Sequence, residues 1–343
     1  MSRLSPSSVL VLGARGRFGS AAVRAFAQAG WQVHAQLRPG ASAPAQPGVQ
    51  WVHADPHDTA TLARAARGAT VVVQALSPVY THKAWRTQVP ALTQAAIDVT
   101  RELRATLLLP ASVYNFGATM PAQLREDTVQ IPSTLKGRLR QASEQQILQA
   151  THDGRMKAVV IRGGDFFGSG QGSWLDQAMV KDLPRGKLTY PGPLDVPTTW
   201  AYLPDMARSF VQVAERRDAL PAFETFHFGG YHLTGQDWAC ALTDVAREQG
   251  WLPAGGQLKV SSVSWPLFRA LGLFMPMLAA LSEMRYLWTT PYQLVNTRMA
   301  RLAGPEPHTP FPQALRAALA DLGLLQRLPA AGAPALQLDG VAS

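Results

Sequence analysis

Three glycines at one spacing carry the clearest chemistry in the chain: Gly13-Ala14-Arg15-Gly16-Arg17-Phe18-Gly19. A glycine-rich turn lets backbone approach a pyrophosphate. Where such a turn joins a strand to a helix, the helix N-terminus adds unpaired N–H groups and the positive end of its dipole. The spacing is G-x-x-G-x-x-G and not G-x-G-x-x-G, so the flanks decide. An apolar run at 8–12 precedes the turn, and a helical pattern at 20–28 follows, with Val23, Phe26 and Ala27 on one face and Gly30 as a stop. This context predicts a dinucleotide site formed by Gly13, Gly16, Phe18 and Gly19; a plain tight turn is the alternative.

Charge selects the dinucleotide. An NAD site places Asp or Glu about 20 residues beyond the glycines to accept the ribose hydroxyl, whereas an NADP site places Arg by the extra phosphate. Here the second apolar run ends Gln36-Leu37-Arg38, and no acidic residue precedes Asp55. A carboxylate would repel a 2′-phosphate and an Arg fork would grip it, so Arg15, Arg17 and Arg38 predict NADP. A solvated first-turn residue is the bland reading of Arg17.

The elements that must hold this loop are legible in outline. Apolar runs at 8–12, 32–37, 49–53, 70–76, 105–109 and 157–161 alternate with helical patterns. Continuous apolar strands between helices indicate a parallel sheet covered on both faces, which is an α/β, Rossmann-type doubly wound fold. The expected division is an NADP-binding core over 1–162, a smaller C-terminal substrate-binding region with returning sheet elements over 163–328, and a flexible tail over 329–343, rich in Ala, Pro and Gly. With 343 residues, 47% hydrophobic and 16% charged, the chain must fold.

Several classes drop out. A single cysteine, Cys240, allows no internal disulfide and fits a reducing compartment. The eight histidines form no H-E-x-x-H motif, so no metal is expected, and no G-x-S-x-G elbow marks a serine hydrolase. The net charge of +9 does not interleave with aromatics as in RNA-binding motifs, so no nucleic-acid partner is expected. The first seven residues are too few for a signal peptide, which favours the cytoplasm. The apolar stretch 265–281 contains Arg269, Pro266 and Pro276 and makes a poor membrane span. It reads as a buried helical hairpin, with a lipid-touching surface as the weaker alternative. The aromatic and Met content of 265–288 reads as core more readily than as pocket. A homodimer is compatible with the sequence.

These motifs, with those that follow, resemble the extended or atypical short-chain dehydrogenase/reductase superfamily, in its NAD-dependent epimerase/dehydratase branch, over 9–325. The resemblance implies that Asp55 faces the adenine and that Ala75 and Leu76, within Gln74-Ala75-Leu76-Ser77-Pro78, pass the cofactor ribose. It implies an active-site hydroxyl at Ser112 within Ala111-Ser112-Val113-Tyr114-Asn115-Phe116-Gly117. Gly163, within Arg162-Gly163-Gly164-Asp165-Phe166-Phe167-Gly168, would lie by the nicotinamide, and Asp205 would buttress the second region.

The sequence departs from the superfamily at its proton donor. That donor is a Tyr four residues before a Lys, one helical turn away, so that the ammonium lowers the phenol pKa. If Lys136 is the lysine, the tyrosine position holds Pro132, and no other Y-x-x-x-K occurs. Lys136 could still bind the ribose while Ser112, Tyr80, Tyr114 or Tyr202 donates. Alternatively the reaction needs little proton transfer, or the chain binds NADP(H) without turnover and reports redox state. The site residues expected to do chemistry are Ser112, Lys136 and Tyr114. The alternatives are a turn cap for Ser112, a packing role for Tyr114 and a solvated helix start for Lys136. The expected function is an NADP-dependent oxidoreductase, or an epimerase/dehydratase-like enzyme, on a small carbonyl or alcohol; an NADP(H)-sensing regulator is the rival.

Overall fold

The computed structural model describes residues 7–43 and 45–326; the tail expected at 329–343 lies outside them. The first strand, β1 (Ser8–Leu12), is buried at every position. The glycine turn leads into α1 (Arg17–Gln28), three residues earlier than the apolar pattern indicates, because Gly16 is already the N-cap with extended backbone. Then come β2 (Gln32–Leu37), β3 (Val49–His53), α2 (Thr59–Ala65), β4 (Val71–Gln74), α3 (His82–Leu103) and β5 (Thr106–Ala111). Asp58 caps α2 by accepting the Thr61 N–H, as a carboxylate before a helical run should.

A short β6 (Gln123–Leu124) precedes α4 (Leu135–Ala150) and β7 (Lys157–Arg162). After β7 the chain forms β8 (Asp165–Phe167), β9 (Lys187–Tyr190), β10 (Thr198–Tyr202), α5 (Leu203–Glu215), β11 (Phe223–His227), β12 (Tyr231–Leu233), α6 (Gly235–Glu248) and β13 (Lys259–Ser262). The final described elements are α7 (Trp265–Leu271), α8 (Pro276–Ser282), α9 (Tyr286–Thr289), β14 (Gln293–Leu294), α10 (Thr297–Ala303) and α11 (Phe311–Asp321).

Seven strands form one sheet in the order β3-β2-β1-β4-β5-β7-β11, and every pair is parallel. The order reverses between β1 and β4, so a crevice opens at the carboxyl ends of the strands there. One face of the sheet packs on α1 and α5, where Phe18 meets Phe210 edge to face. The other packs on α2, α3 and α4 around Leu62, Ile97 and Ile147.

A third apolar cluster lies over the carboxyl side, built on Phe167, Trp200, Trp238 and Trp288. Trp200 touches Trp238 at 4.7 Å and Trp288 at 5.4 Å between ring centres. Asp205 ties this region together, accepting the Thr309 N–H at 2.6 Å and the Thr309 hydroxyl at 2.8 Å.

The stretch read as a buried hairpin is only partly so. Trp265 and Ala280 are buried, but Leu267, Leu271, Leu273, Phe274, Met275 and Met277 are exposed. Periodicity shows an apolar face; it does not supply the partner that would cover it. No described helix is long and apolar enough to cross a membrane.

Candidate active site

The glycine turn is built as close approach requires. Gly13 has φ +76°, and a Cβ there would lie 3.0 Å from the Leu76 nitrogen. A Cβ on Gly19 would stand 2.1 Å from the Gly13 carbonyl oxygen, so the first turn of α1 packs directly on the loop. Gly16 provides no side-chain cap and the first turn of α1 has no acid, leaving its N–H groups to an anionic ligand. Gln36, buried on β2, pins the loop: its Oε1 accepts the Gly13 N–H at 2.9 Å and its Nε2 donates to the Ala54 carbonyl at 2.8 Å. Gln74 braces the next turn by accepting the Leu76 N–H at 2.7 Å. A polar residue inside an apolar strand was the available signal for both glutamines. These features fit a dinucleotide pyrophosphate.

The three arginines assigned to the cofactor separate. Arg15 and Arg38 are exposed and make no ion pair among the described residues. Arg17 points elsewhere: its guanidinium donates to the carbonyls of Phe166 at 2.8 Å and Gly168 at 3.3 Å. Burial pulls its pKa down to about 10, against the attraction of Asp176 and Asp165. The bland reading of Arg17 as a solvated residue is therefore corrected, and so is its grouping with Arg15 and Arg38. Asp55 is exposed and accepts the His57 N–H at 2.8 Å.

Beyond the loop lies a cavity of about 320 Å³, walled by Arg17, Ser112, Tyr80, Tyr114, Arg140 and Asp165 on its polar side. Its apolar side is Trp85, Trp174, Phe268, Met277, Leu281 and Leu287. Ser112 Oγ is buried without a hydrogen-bond partner among the described residues, so the capping role is not what it does here. Ala75, Leu76 and Gly163 border the loop and the β7 end: the Ala75 carbonyl lies 3.6 Å from where a Gly16 Cβ would stand, and Gly163 donates to the Ala111 carbonyl at 2.9 Å.

Lys136, at the start of α4, is fully buried. Its ammonium donates to the Ala280 carbonyl at 2.6 Å and to Glu283 Oε1 at 2.7 Å. It also stands 4.5 Å from the Tyr80 ring centre and 5.8 Å from that of Trp85, so it backs two cavity walls. Desolvation lowers its pKa and Glu283 partly restores it. The solvated reading of Lys136 is corrected. A buried ion pair of Arg162 with Glu144 fastens α4 to β7, keeping Lys136 and Arg140 in place.

Tyr80 and Tyr114 bring their hydroxyls within 3.5 Å of each other. Burial and the neighbouring Asp165 push the Tyr114 phenol up to about 12, and burial raises Tyr80 as well. Asp165 is different. Desolvation raises its carboxyl from 3.8 to about 7, with Arg17 opposing, and its Oδ2 is buried without a partner among the described residues. Nothing in the Arg162 to Gly168 segment marks Asp165 for a role, since an acid's burial cannot be read from its neighbours in sequence. Glu283 was missed for the same reason.

A parallel sheet with a glycine turn at its switch point defines a dinucleotide-binding α/β protein. Residues 9–229 match the model of the NAD dependent epimerase/dehydratase family. The chain belongs to that family. Among solved structures, a UDP-glucose 4-epimerase from Thermotoga maritima, determined with UDP-glucose, is 12% identical with a TM-score of 0.69, covering 92% of this chain and 98% of that one. The Bordetella bronchiseptica enzyme WbmH, determined with NAD+, is 14% identical with a TM-score of 0.68, over 92% and 98% of the two chains. A UDP-N-acetylglucosamine 4-epimerase from Bacillus cereus is 13% identical with a TM-score of 0.68, over 94% and 99%. No curated protein matches the chain in sequence.

Proposed function

We propose that this chain is an NADP(H)-dependent oxidoreductase acting on a small, largely apolar carbonyl or alcohol, with Asp165 as its proton donor. The observation that carries the reading is the single cavity that joins Arg17, at the head of α1, to Ser112 and Asp165. A ligand across the carboxyl ends of the strands would place its phosphates on the α1 N-terminus and its far end in that cavity. Arg15 and Arg38, without an ion pair among the described residues and with no acid before Asp55, support the 2′-phosphorylated form. The Trp, Phe, Met and Leu walls support an apolar substrate over a sugar nucleotide.

When bound, the nicotinamide supplies a hydride. Asp165 gives its proton to the substrate oxygen as the carbonyl carbon becomes an alcohol, and the carboxylate left behind recovers a proton from water. A carboxyl near 7 serves this role better at neutral pH than a phenol at about 12. Ser112 Oγ, free of partners among the described residues, donates a hydrogen bond to the same oxygen, and Arg17 holds the 166–168 turn against the loop. Lys136 and Tyr114 shape the walls, while Asp55 meets the adenine.

The rival is an NADP(H) sensor without turnover. Two observations favour it: Pro132 stands where the superfamily's tyrosine would be, and Lys136 is engaged by Glu283. Fluorescence titration with NADPH and NADH, followed by a carbonyl panel, separates the two. Tight NADPH binding with oxidation of an apolar carbonyl supports the enzyme. Binding with no turnover on any carbonyl leaves the sensor, and absence of dinucleotide binding overturns both.

A further inference from the structure

Ten large apolar side chains are exposed among the described residues, and six of them fall in one run: Leu267, Leu271, Leu273, Phe274, Met275 and Met277. Such concentration is not the single scatter that any surface shows. Leu273 and Phe274 form the tip between α7 and α8, at 82% and 85% exposure. The hairpin is closed tightly below the tip, since a Cβ on Gly272 would lie 2.9 Å from Ala279 Cα. The tip is therefore a built feature of the fold.

Four cations lie on the hairpin or on the helix that adjoins it. Arg269 and Arg285 are exposed on and after the hairpin, and Lys83 and Arg86 are exposed on the first turns of α3. The two elements adjoin, because His82 of α3 reaches Glu283 at 3.2 Å. None of the four cations makes an ion pair among the described residues. The only acid between 265 and 290 is Glu283, and Lys136 engages it.

We infer that the α7–α8 hairpin is a docking surface for an anionic lipid bilayer. Exposed apolar side chains on the hairpin, with Lys and Arg on it and on the adjoining helix that pair with no described acid, match a headgroup layer with an acyl interior beneath it. A second copy of the chain fits poorly, since the same hairpin on a twin offers only Glu283, already engaged by Lys136, to face these cations. The same hairpin supplies Phe268, Met277 and Leu281 to the cavity wall, so docking brings the cavity beside the acyl layer. That an apolar substrate enters from there rests on the oxidoreductase reading; the docking itself does not.

The test is flotation of the full, ligand-free protein with phosphatidylcholine vesicles and with phosphatidylcholine–phosphatidylserine vesicles, at low and high salt. No cofactor is present, so the result is independent of whether NADPH binds. The protein is expected to float with the phosphatidylserine vesicles and to release as salt rises. The double variant Leu273→Glu/Phe274→Glu and the double variant Lys83→Glu/Arg86→Glu should each reduce the floated fraction by at least about fivefold. Circular dichroism should report unchanged folding, since all four side chains are exposed. Absence of flotation with phosphatidylserine, or equal flotation of folded variants, overturns the inference. So does a dimer in sedimentation equilibrium that Leu273→Glu/Phe274→Glu dissolves while no vesicle is bound.

Discussion

Lys136 Nζ stands 2.7 Å from Glu283 Oε1, joining the start of α4 to the end of α8 across 147 residues of chain. The lysine side chain has no solvent exposure and the glutamate has 21%. Breaking such a pair from one side leaves a buried charge without its partner, whereas replacing both removes the charge. Glu283→Gln should cost on the order of 3 kcal/mol in urea unfolding. The double variant Lys136→Met/Glu283→Gln should cost less than Glu283→Gln alone; an equal or greater cost would show that the pair does not hold the hairpin as described.

Asp165 imposes a pH dependence on stability. Its carboxyl titrates near 7 in the folded chain against an ordinary 3.8. Between those values the folded chain keeps a proton that the unfolded chain has lost, so stability from this group is full at the acid end and declines as pH rises through about 7. Asp165→Asn cannot lose a proton. Its stability relative to the parent should therefore rise steadily from pH 4 to pH 7, in unfolding curves of ligand-free protein. A constant difference across that range would place the Asp165 carboxyl at its ordinary pKa.

Gly19→Ala should weaken NADPH binding by at least about tenfold, or roughly 1.4 kcal/mol. The added Cβ would meet the Gly13 carbonyl at 2.1 Å and push the loop away from α1. Fluorescence titration reads the loss, and circular dichroism should show the sheet intact. Unchanged affinity would mean that the phosphates do not rest on this turn.

Arg38→Ala should weaken NADPH by about tenfold or more while changing NADH little, because only NADPH carries the 2′-phosphate that a guanidinium fork grips. Parallel titrations check it. Equal losses for both dinucleotides would remove the basis for the phosphorylated form.

The sheet and the loop were legible because their signals are local. The strands at 8–12, 32–37 and 49–53 match β1, β2 and β3 residue for residue, and continuous apolar runs between helices mark a parallel sheet. The start of α4 at Leu135 was legible as well, placing Lys136 in its first turn. What escaped was set by distant chain. Nothing near Lys136 in sequence announces Glu283, and nothing in Arg162 to Gly168 tells whether Asp165 is wet or dry. Arg17 looked like Arg15 and Arg38 because all three occupy one acid-free stretch. Only the fold shows it turned toward Phe166. The stretch at 265–281 is less buried than its pattern suggests for a related reason, since an apolar helix face predicts burial only when some other element arrives to cover it.

The most direct measurement is a crystal structure of the NADPH complex. The account predicts phosphates against the first turn of α1 and a nicotinamide ring in the cavity between Ser112 and Asp165. A ring turned away from that cavity, or no dinucleotide bound at the glycine turn, would contradict it.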